Sequence, residues 1–223
     1  MKKNIEIELK YQVLDEPQVQ EFLKKLDFID KKRVIDVYLD TKDGNLYKKG
    51  IFIRIRDNKI LDFKYNLEDF QNLNKVSMHE QCDEYSFSLP LTNKSFKAIN
   101  QNCKILGLVE ISKPDLGELK LRNNLIDSVV IDKIRQKFKD EEFKYSFDDV
   151  KGLGKFLEIE VEGQEGEDFE EIKDRIREKV KNLKIKLITT GYNEVYWRKY
   201  NFNLYIQGRY LFEEDYKKYR PII

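Results

Sequence analysis

The sequence predicts an α+β fold built on a closed or nearly closed antiparallel sheet, with amphipathic helices packed outside. Three observations carry this. Many short segments alternate apolar and charged residues with the period of two that a half-buried strand requires. Three longer segments repeat apolar residues at the i, i+3, i+4, i+7 spacing of one helix face. No Pro/Gly/Ser-rich linker interrupts the 223 residues, so residues 1–196 read as one domain, followed by an aromatic tail over 197–223.

The elements follow in order. Ile5–Val13 is the first strand, with Ile5, Ile7 and Leu9 on one face and Glu6, Glu8 and Lys10 on the other. A helix follows: Asp15 caps it, Pro17 suits its first turn, and Val19, Phe22, Leu23 and Leu26 share a face. Val34–Leu39, Gly50–Arg56, Lys59–Tyr65 and Gln81–Leu89 are strands, with Asp43-Gly44 and Asp57-Asn58 as turn signals. A second helix begins at Thr92 or Asn93, aligns Phe96, Ile99, Cys103 and Leu106, and stops at Gly107. Strands are expected at Leu108–Ser112, Val129–Phe138, Glu142–Asp149 and Phe156–Glu162. A third helix, Asp168–Leu183, aligns Phe169, Ile172, Ile176, Val180 and Leu183. A strand or helix surrounds Tyr192–Trp197.

Charge narrows the function. The chain is 37% charged, against ~25% in ordinary globular domains. Lys+Arg is 42 and Asp+Glu 41, for a net charge of +1. That balance argues against a general nucleic-acid or membrane binder, and it permits local clusters of one sign. Cys82 and Cys103 have no metal-like or redox-like spacing. No apolar run approaches the ~18 residues of a membrane span, and the start has no signal-peptide pattern. A cytoplasmic protein is the expectation.

The charges are sorted by strand. Arg54 and Arg56 flank Ile55, Lys133 and Arg135 flank Ile134, and Lys64 ends "LDFK". Glu158, Glu160 and Glu162 alternate with Ile159 and Val161. Each segment taken alone is an ordinary strand, wet on one face and apolar on the other. Taken together they are less ordinary, because like charges on one strand face gain nothing from each other. They are stabilised if acidic and basic strands face one another, or if a multivalent ligand lies between them. Guanidinium and ammonium groups suit phosphate oxygens. Clustered carboxylates suit Mg²⁺ or Mn²⁺. Both sets together fit a metal-bound polyphosphate.

These residues resemble the CYTH superfamily, the triphosphate tunnel metalloenzymes. Glu6-Ile7-Glu8-Leu9-Lys10 is similar to the family's ExExK signature. "DVYLDTKDGNLYKKGIFIRIR" resembles its Tyr-x-Asp-Thr element followed by an Arg-x-Arg strand. "LDFK" and "VVIDKIRQKF" resemble its later basic strands, and "SFDDVKGLGKFLEIE" is the most specific match. The likeness runs from Glu6 to about Tyr192, in the family's order.

The resemblance implies a closed antiparallel β-barrel of about eight strands, a tunnel holding a small-molecule triphosphate, with Mg²⁺ or Mn²⁺ as cofactor and no nucleic-acid or membrane partner. Arg54, Arg56, Lys64, Lys133 and Arg135 would bind the triphosphate. Glu6, Glu8, Glu158 and Glu160 would hold one or two metals. Asp148 would sit near the metal or brace a basic residue. Lys10 would touch phosphate or, with Glu8, guide the attacking water. Around "MHEQCDEYSF" the sequence departs from the family pattern, and Glu80 and Glu84 are carried over there as metal ligands on weaker grounds. Lys120 and Arg122 form a second Lys-x-Arg in an apparent insertion, 112–128, but Lys133/Arg135 sit in the more strand-like run. Three activities follow: a metal-dependent triphosphatase, a class IV adenylate cyclase, or a non-catalytic polyphosphate-binding barrel. The assembly, a homodimer among the options, is left open. His79, Cys82 and Cys103 read as structural, and Trp197 with Tyr192, Tyr196 and Tyr200 as packing rather than a stacking site for a ring.

Overall fold

The computed structural model describes residues 5–67, 83–163 and 168–220; the side chains of residues 5, 6, 162 and 163 lie outside that description. In chain order the elements are β1 (Ile5–Val13), α1 (Glu16–Leu23), β2 (Asp27–Asp40), α2 (Asn45–Lys48), β3 (Phe52–Arg56), β4 (Ile60–Tyr65) and β5 (Asp83–Ser88). They continue with α3 (Asn93–Leu106), α4 (Leu116–Arg122), β6 (Ile126–Lys139), β7 (Lys144–Val150), β8 (Gly154–Gly163), α5 (Phe169–Val180) and β9 (Ile185–Ile188). The tail holds α6 (Tyr192–Tyr200), α7 (Phe202–Tyr205) and α8 (Glu213–Tyr219).

The fold is α+β, with nine strands in the order β5-β4-β3-β2-β6-β7-β8-β1-β9. That order has two ends, β5 and β9, so the closed barrel of eight strands expected from the sequence is not seen among the described residues. The chain divides into two compact units, residues 1–34 with 132–189 and residues 35–131 with 190–223.

In the first unit, β1 pairs antiparallel with β8 and β9, and β7 pairs with β8 and β6. Alternation sends Leu9, Tyr145, Phe147, Leu157 and Ile159 to one face, where Val19 and Leu23 of α1 and Ile176 and Val180 of α5 cover them. Each such side chain contributes about 1.5–3 kcal/mol when fully buried. The opposite face carries the charged residues. Asp15 caps α1 as expected, its carboxylate accepting from the Gln18 amide at 3.2 Å.

In the second unit, β3 pairs antiparallel with β2 and β4, and β4 with β5. Ile53, Ile55, Leu61, Phe63 and Tyr65 pack beneath Ile99, Cys103 and Leu106 of α3 and Leu119 of α4. Asp57 and Asn58, both at positive φ, make the turn from β3 to β4. Asp43-Gly44 does not turn strand into strand. Gly44, at φ +69, instead caps the short α2. The tail packs on this unit: Tyr210 stacks on Phe52 with centroids 6.1 Å apart, and Trp197 lies 6.1 Å from Tyr47. Trp197 is therefore a packing residue, as expected.

One expectation fails locally. Leu108–Ser112 is not a strand. Its backbone polar groups are taken by asparagine side chains: Asn123 bonds the N–H and C=O of Val109, and Asn100 those of Ile111. Lys120 and Arg122 sit in the last turn of α4, where they pair with Asp127 and Glu118.

Candidate functional site

The charged face of the first unit is set by strand register. Glu8 on β1 lies opposite Glu160 on β8, and Lys10 lies opposite Glu158. Positions two apart share a face and directly opposed residues are neighbours, so these four side chains meet. One oxygen from each of Glu8, Glu158 and Glu160 comes within 4.8 Å of the others. Lys10 Nζ donates to Glu8 Oε1 at 2.8 Å and lies 3.2 Å from Glu158 Oε2.

Next to them, Asp148 on β7 is fully buried. It accepts from both Arg135 Nε and Arg135 Nη2 at 2.7 Å and from Lys133 Nζ at 3.0 Å. Arg135 Nη2 also reaches both oxygens of Glu158 at 3.2 Å. Carboxylates and cations thus alternate across four strands, β6, β7, β8 and β1.

This alternation keeps the groups ionised. Burial would push the Lys10 ammonium down, but the Glu8 and Glu158 carboxylates outweigh it and hold Lys10 well above its ordinary value. Burial would push Glu158 up, but Lys10, Arg135 and Lys133 hold it below the usual carboxylate range. Asp148 is likewise held low against burial, by Arg135 and Lys133.

The second unit carries a comparable network. Arg54 on β3 donates to Asp62 Oδ2 through Nε at 2.9 Å and Nη2 at 2.6 Å, and to Glu84 Oε1 at 3.0 Å. Arg56 forks Asp36 at 2.7 and 3.1 Å. Lys64 lies 3.9 Å from Glu84. Ser86 Oγ donates to the other oxygen of Asp62 at 2.7 Å. Tyr38, opposite Arg54 in the β2–β3 ladder, is pushed up to about 12 by burial.

Residues 4–192 match the CYTH domain. The chain belongs to the CYTH domain family. A Methanocaldococcus jannaschii protein named as a candidate adenylate cyclase is 28% identical over 186 residues, 81% of this chain and 90% of its own length. The Pyrococcus horikoshii protein PH1819 has the same fold, at TM-score 0.58 and 19% identity, over 87% of this CYTH chain and 99% of its own. A Hippeastrum protein, a candidate adenylyl cyclase described as having a dominant triphosphatase activity, superposes at TM-score 0.53 with 16% identity, over 93% and 98% of the two chains.

Within this CYTH domain, Glu8, Glu158, Glu160, Lys10, Lys133, Arg135 and Asp148 come together in one unit. Arg54, Arg56, Lys64 and Glu84 gather in the other. Asp148 lies outside the three-carboxylate group, since its oxygens hold cations. Glu84 pairs with Arg54 and Lys64 rather than with other acids. Glu6 stands opposite Glu162 in the ladder, and its side chain lies outside the description. Glu80, His79 and Cys82 fall outside the described residues.

Sequence reasoning missed Asp36 and Asp62, which hold the two arginines of β3. The signal was there: each stands on a strand at the parity of the charged face. Three carboxylates of the first unit supply hard oxygen donors at converging distance, which fits a hard divalent cation better than a soft one. Among the described residues, no helix is long and apolar enough to cross a membrane.

Proposed function

We propose that this protein is a divalent-metal-dependent enzyme that hydrolyses a phosphoanhydride bond of a triphosphate: inorganic triphosphate, thiamine triphosphate or a nucleoside triphosphate. The observation that carries this is the convergence of Glu8, Glu158 and Glu160 within 4.8 Å, beside Lys10 and Arg135. Acids alone would suit a metal and bases alone an anion. Both on one face suit a metal-bound polyphosphate, whose transfer chemistry depends on positioning and charge stabilisation. CYTH members include adenylate cyclases and triphosphatases, which supports an enzymatic role.

The roles proposed follow from the chemistry of each group. Glu8, Glu158 and Glu160 would hold Mg²⁺ or Mn²⁺. When bound, such an ion neutralises phosphate charge and acidifies a coordinated water. Arg135 presents a planar fork to phosphate oxygens, with Lys133 and Asp148 fixing its direction. Arg54, Arg56 and Lys64 carry the same chemistry and are proposed as further phosphate contacts. Lys10 and Glu8 guide the nucleophilic water.

A second reading is class IV adenylate cyclase, favoured by the name of the Methanocaldococcus relative. The nucleophile would then be the ribose 3′-oxygen of ATP, attacking the α-phosphorus. Incubation with Mg²⁺ or Mn²⁺ and tripolyphosphate, thiamine triphosphate or ATP separates the two. Phosphate release without cyclic AMP is the expected result. Cyclic AMP with pyrophosphate from ATP would overturn it in favour of the cyclase. No turnover with any metal and substrate would refute both.

A further inference from the structure

The Lys10 ammonium stands where a cation is wanted. It touches two of the three carboxylates of the cluster, Glu8 at 2.8 Å and Glu158 at 3.2 Å. The Lys10 side chain is 14% exposed and that of Glu158 8%, so water screens little of the attraction. Without a counter-ion, three carboxylates this close would repel one another. Lys10 supplies that counter-charge, and Arg135 helps from the other side of Glu158.

Two cations of this face, Lys10 and Arg135, differ in how firmly they are held. Arg135 is forked onto buried Asp148 through two bonds of 2.7 Å. Lys10 carries its charge on a flexible four-carbon stem with a rotatable head. A divalent ion on Glu8 and Glu158 would compete with the ammonium for the same oxygens and repel it at close range. The guanidinium also touches Glu158 at 3.2 Å, but its shorter bonds hold it on Asp148, outside the three-carboxylate group.

Resting on the assignment of this face as a metal and triphosphate site, we infer that Lys10 is a built-in substitute for the metal ion. In the ligand-free protein it neutralises Glu8 and Glu158. On uptake of a divalent cation it leaves them, and its ammonium turns to a phosphate oxygen. Two consequences follow. The metal alone binds weakly, because it must displace an ammonium from Glu8 and Glu158. Metal and polyphosphate favour each other's binding, because the anion takes up the displaced charge, and this coupling is reciprocal.

The test is Mn²⁺ binding to the full chain, read from the electron paramagnetic resonance of free Mn²⁺, in wild type, Lys10→Gln, Lys10→Arg and Glu160→Gln. Lys10→Gln should bind Mn²⁺ alone about tenfold or more tighter than wild type, a coupling of ordinary size. Lys10→Arg, which keeps the charge, should show no such gain. Equal or weaker binding by Lys10→Gln overturns the inference. If wild-type binding still falls in Glu160→Gln, the metal site itself survives that result. Mn²⁺ binding that is indifferent to Glu160→Gln in every background overturns the site assignment, and the inference with it. A readout in the wild-type protein covers a variant that fails to fold. With lysine labelled at Nζ, the Lys10 ammonium resonance should shift on adding Mg²⁺. A resonance unmoved at saturating Mg²⁺ overturns the inference.

Discussion

Arg135 and Asp148 face each other across the β6–β7 ladder, and the guanidinium forks both carboxylate oxygens at 2.7 Å. Asp148 is fully buried and also accepts from Lys133, whose side chain is itself 2% exposed. One buried carboxylate therefore serves two cations. Asp148→Asn removes that charge from beside both. Breaking a buried pair in this way costs roughly 3–5 kcal/mol. Urea denaturation should show a midpoint lowered to match. An unchanged midpoint would mean that water reaches Lys133 and Arg135.

Glu158→Gln tests the metal role without the same damage. Lys10 keeps Glu8, and Arg135 keeps Asp148, so the fold should hold. Metal-dependent turnover should fall by at least the roughly 10–100-fold that even outer partners of a metal cost. Circular dichroism and a phosphate-release assay on the same sample check both halves. Wild-type turnover in the variant removes Glu158 from the ligand set.

Much of this was legible in the sequence because alternation and register carry it. A strand such as Ile5–Val13 cannot bury Leu9 without presenting Glu8 and Lys10 together on the other face. The partners could not be read that way. Nothing local says that Glu160 will lie opposite Glu8, or Glu158 opposite Lys10. Those pairings depend on how distant strands meet. The tail was opaque for a related reason: its turns are fixed by contacts to Tyr47 and Phe52, far away in the chain. The four-residue β9 is too short to show a period.

Arg54→Lys tests whether the fork on β3 matters beyond its charge. Arg54 grips Asp62 through Nε and Nη2 and reaches Glu84 through Nη2 as well, a geometry that a point-charge ammonium cannot reproduce. Losing one charge-assisted bond costs about 1.5–3 kcal/mol. The KM for the triphosphate should rise by roughly tenfold or more if the same fork binds phosphate, and thermal stability should fall with the loss of the fork on Asp62. A KM equal to wild type would remove Arg54 from substrate binding.

Gly208→Ala tests the seat of the tail. A Cβ at residue 208 would collide with the ring and hydroxyl of Tyr47, which is buried and donates to the Tyr205 carbonyl at 3.3 Å. Tyr47 has no room to yield, being packed with Phe52 and Tyr210. Overpacking of this kind costs typically 1–3 kcal/mol. Thermal unfolding should shift down, and limited proteolysis should cut first within residues 197–220. Unaltered cleavage and stability would show that Tyr47 moves aside.

Asp140 gives the fold an acid limit. Its carboxylate accepts from the amides of Glu142 at 2.9 Å and Phe143 at 2.8 Å, and from the Tyr145 hydroxyl at 2.9 Å. Lys179 of α5 lies 2.8 Å away. Burial alone would raise this carboxyl; Lys179 and the three hydrogen-bond donors outweigh it and hold it at about 2, below the ordinary 3.8. A carboxylate depressed in the folded state stabilises it above its unfolded value and stops doing so as pH falls through the folded one. The stabilisation is therefore whole above pH 3.8 and disappears towards pH 2. A depression of this size corresponds to about 2 kcal/mol. Asp140→Asn should be less stable than wild type by that order at neutral pH, and the two urea midpoints should converge as the pH is lowered to about 2. A gap that persists undiminished at pH 2, or none at pH 7, would show that Asp140 is not held in its charged form by these donors.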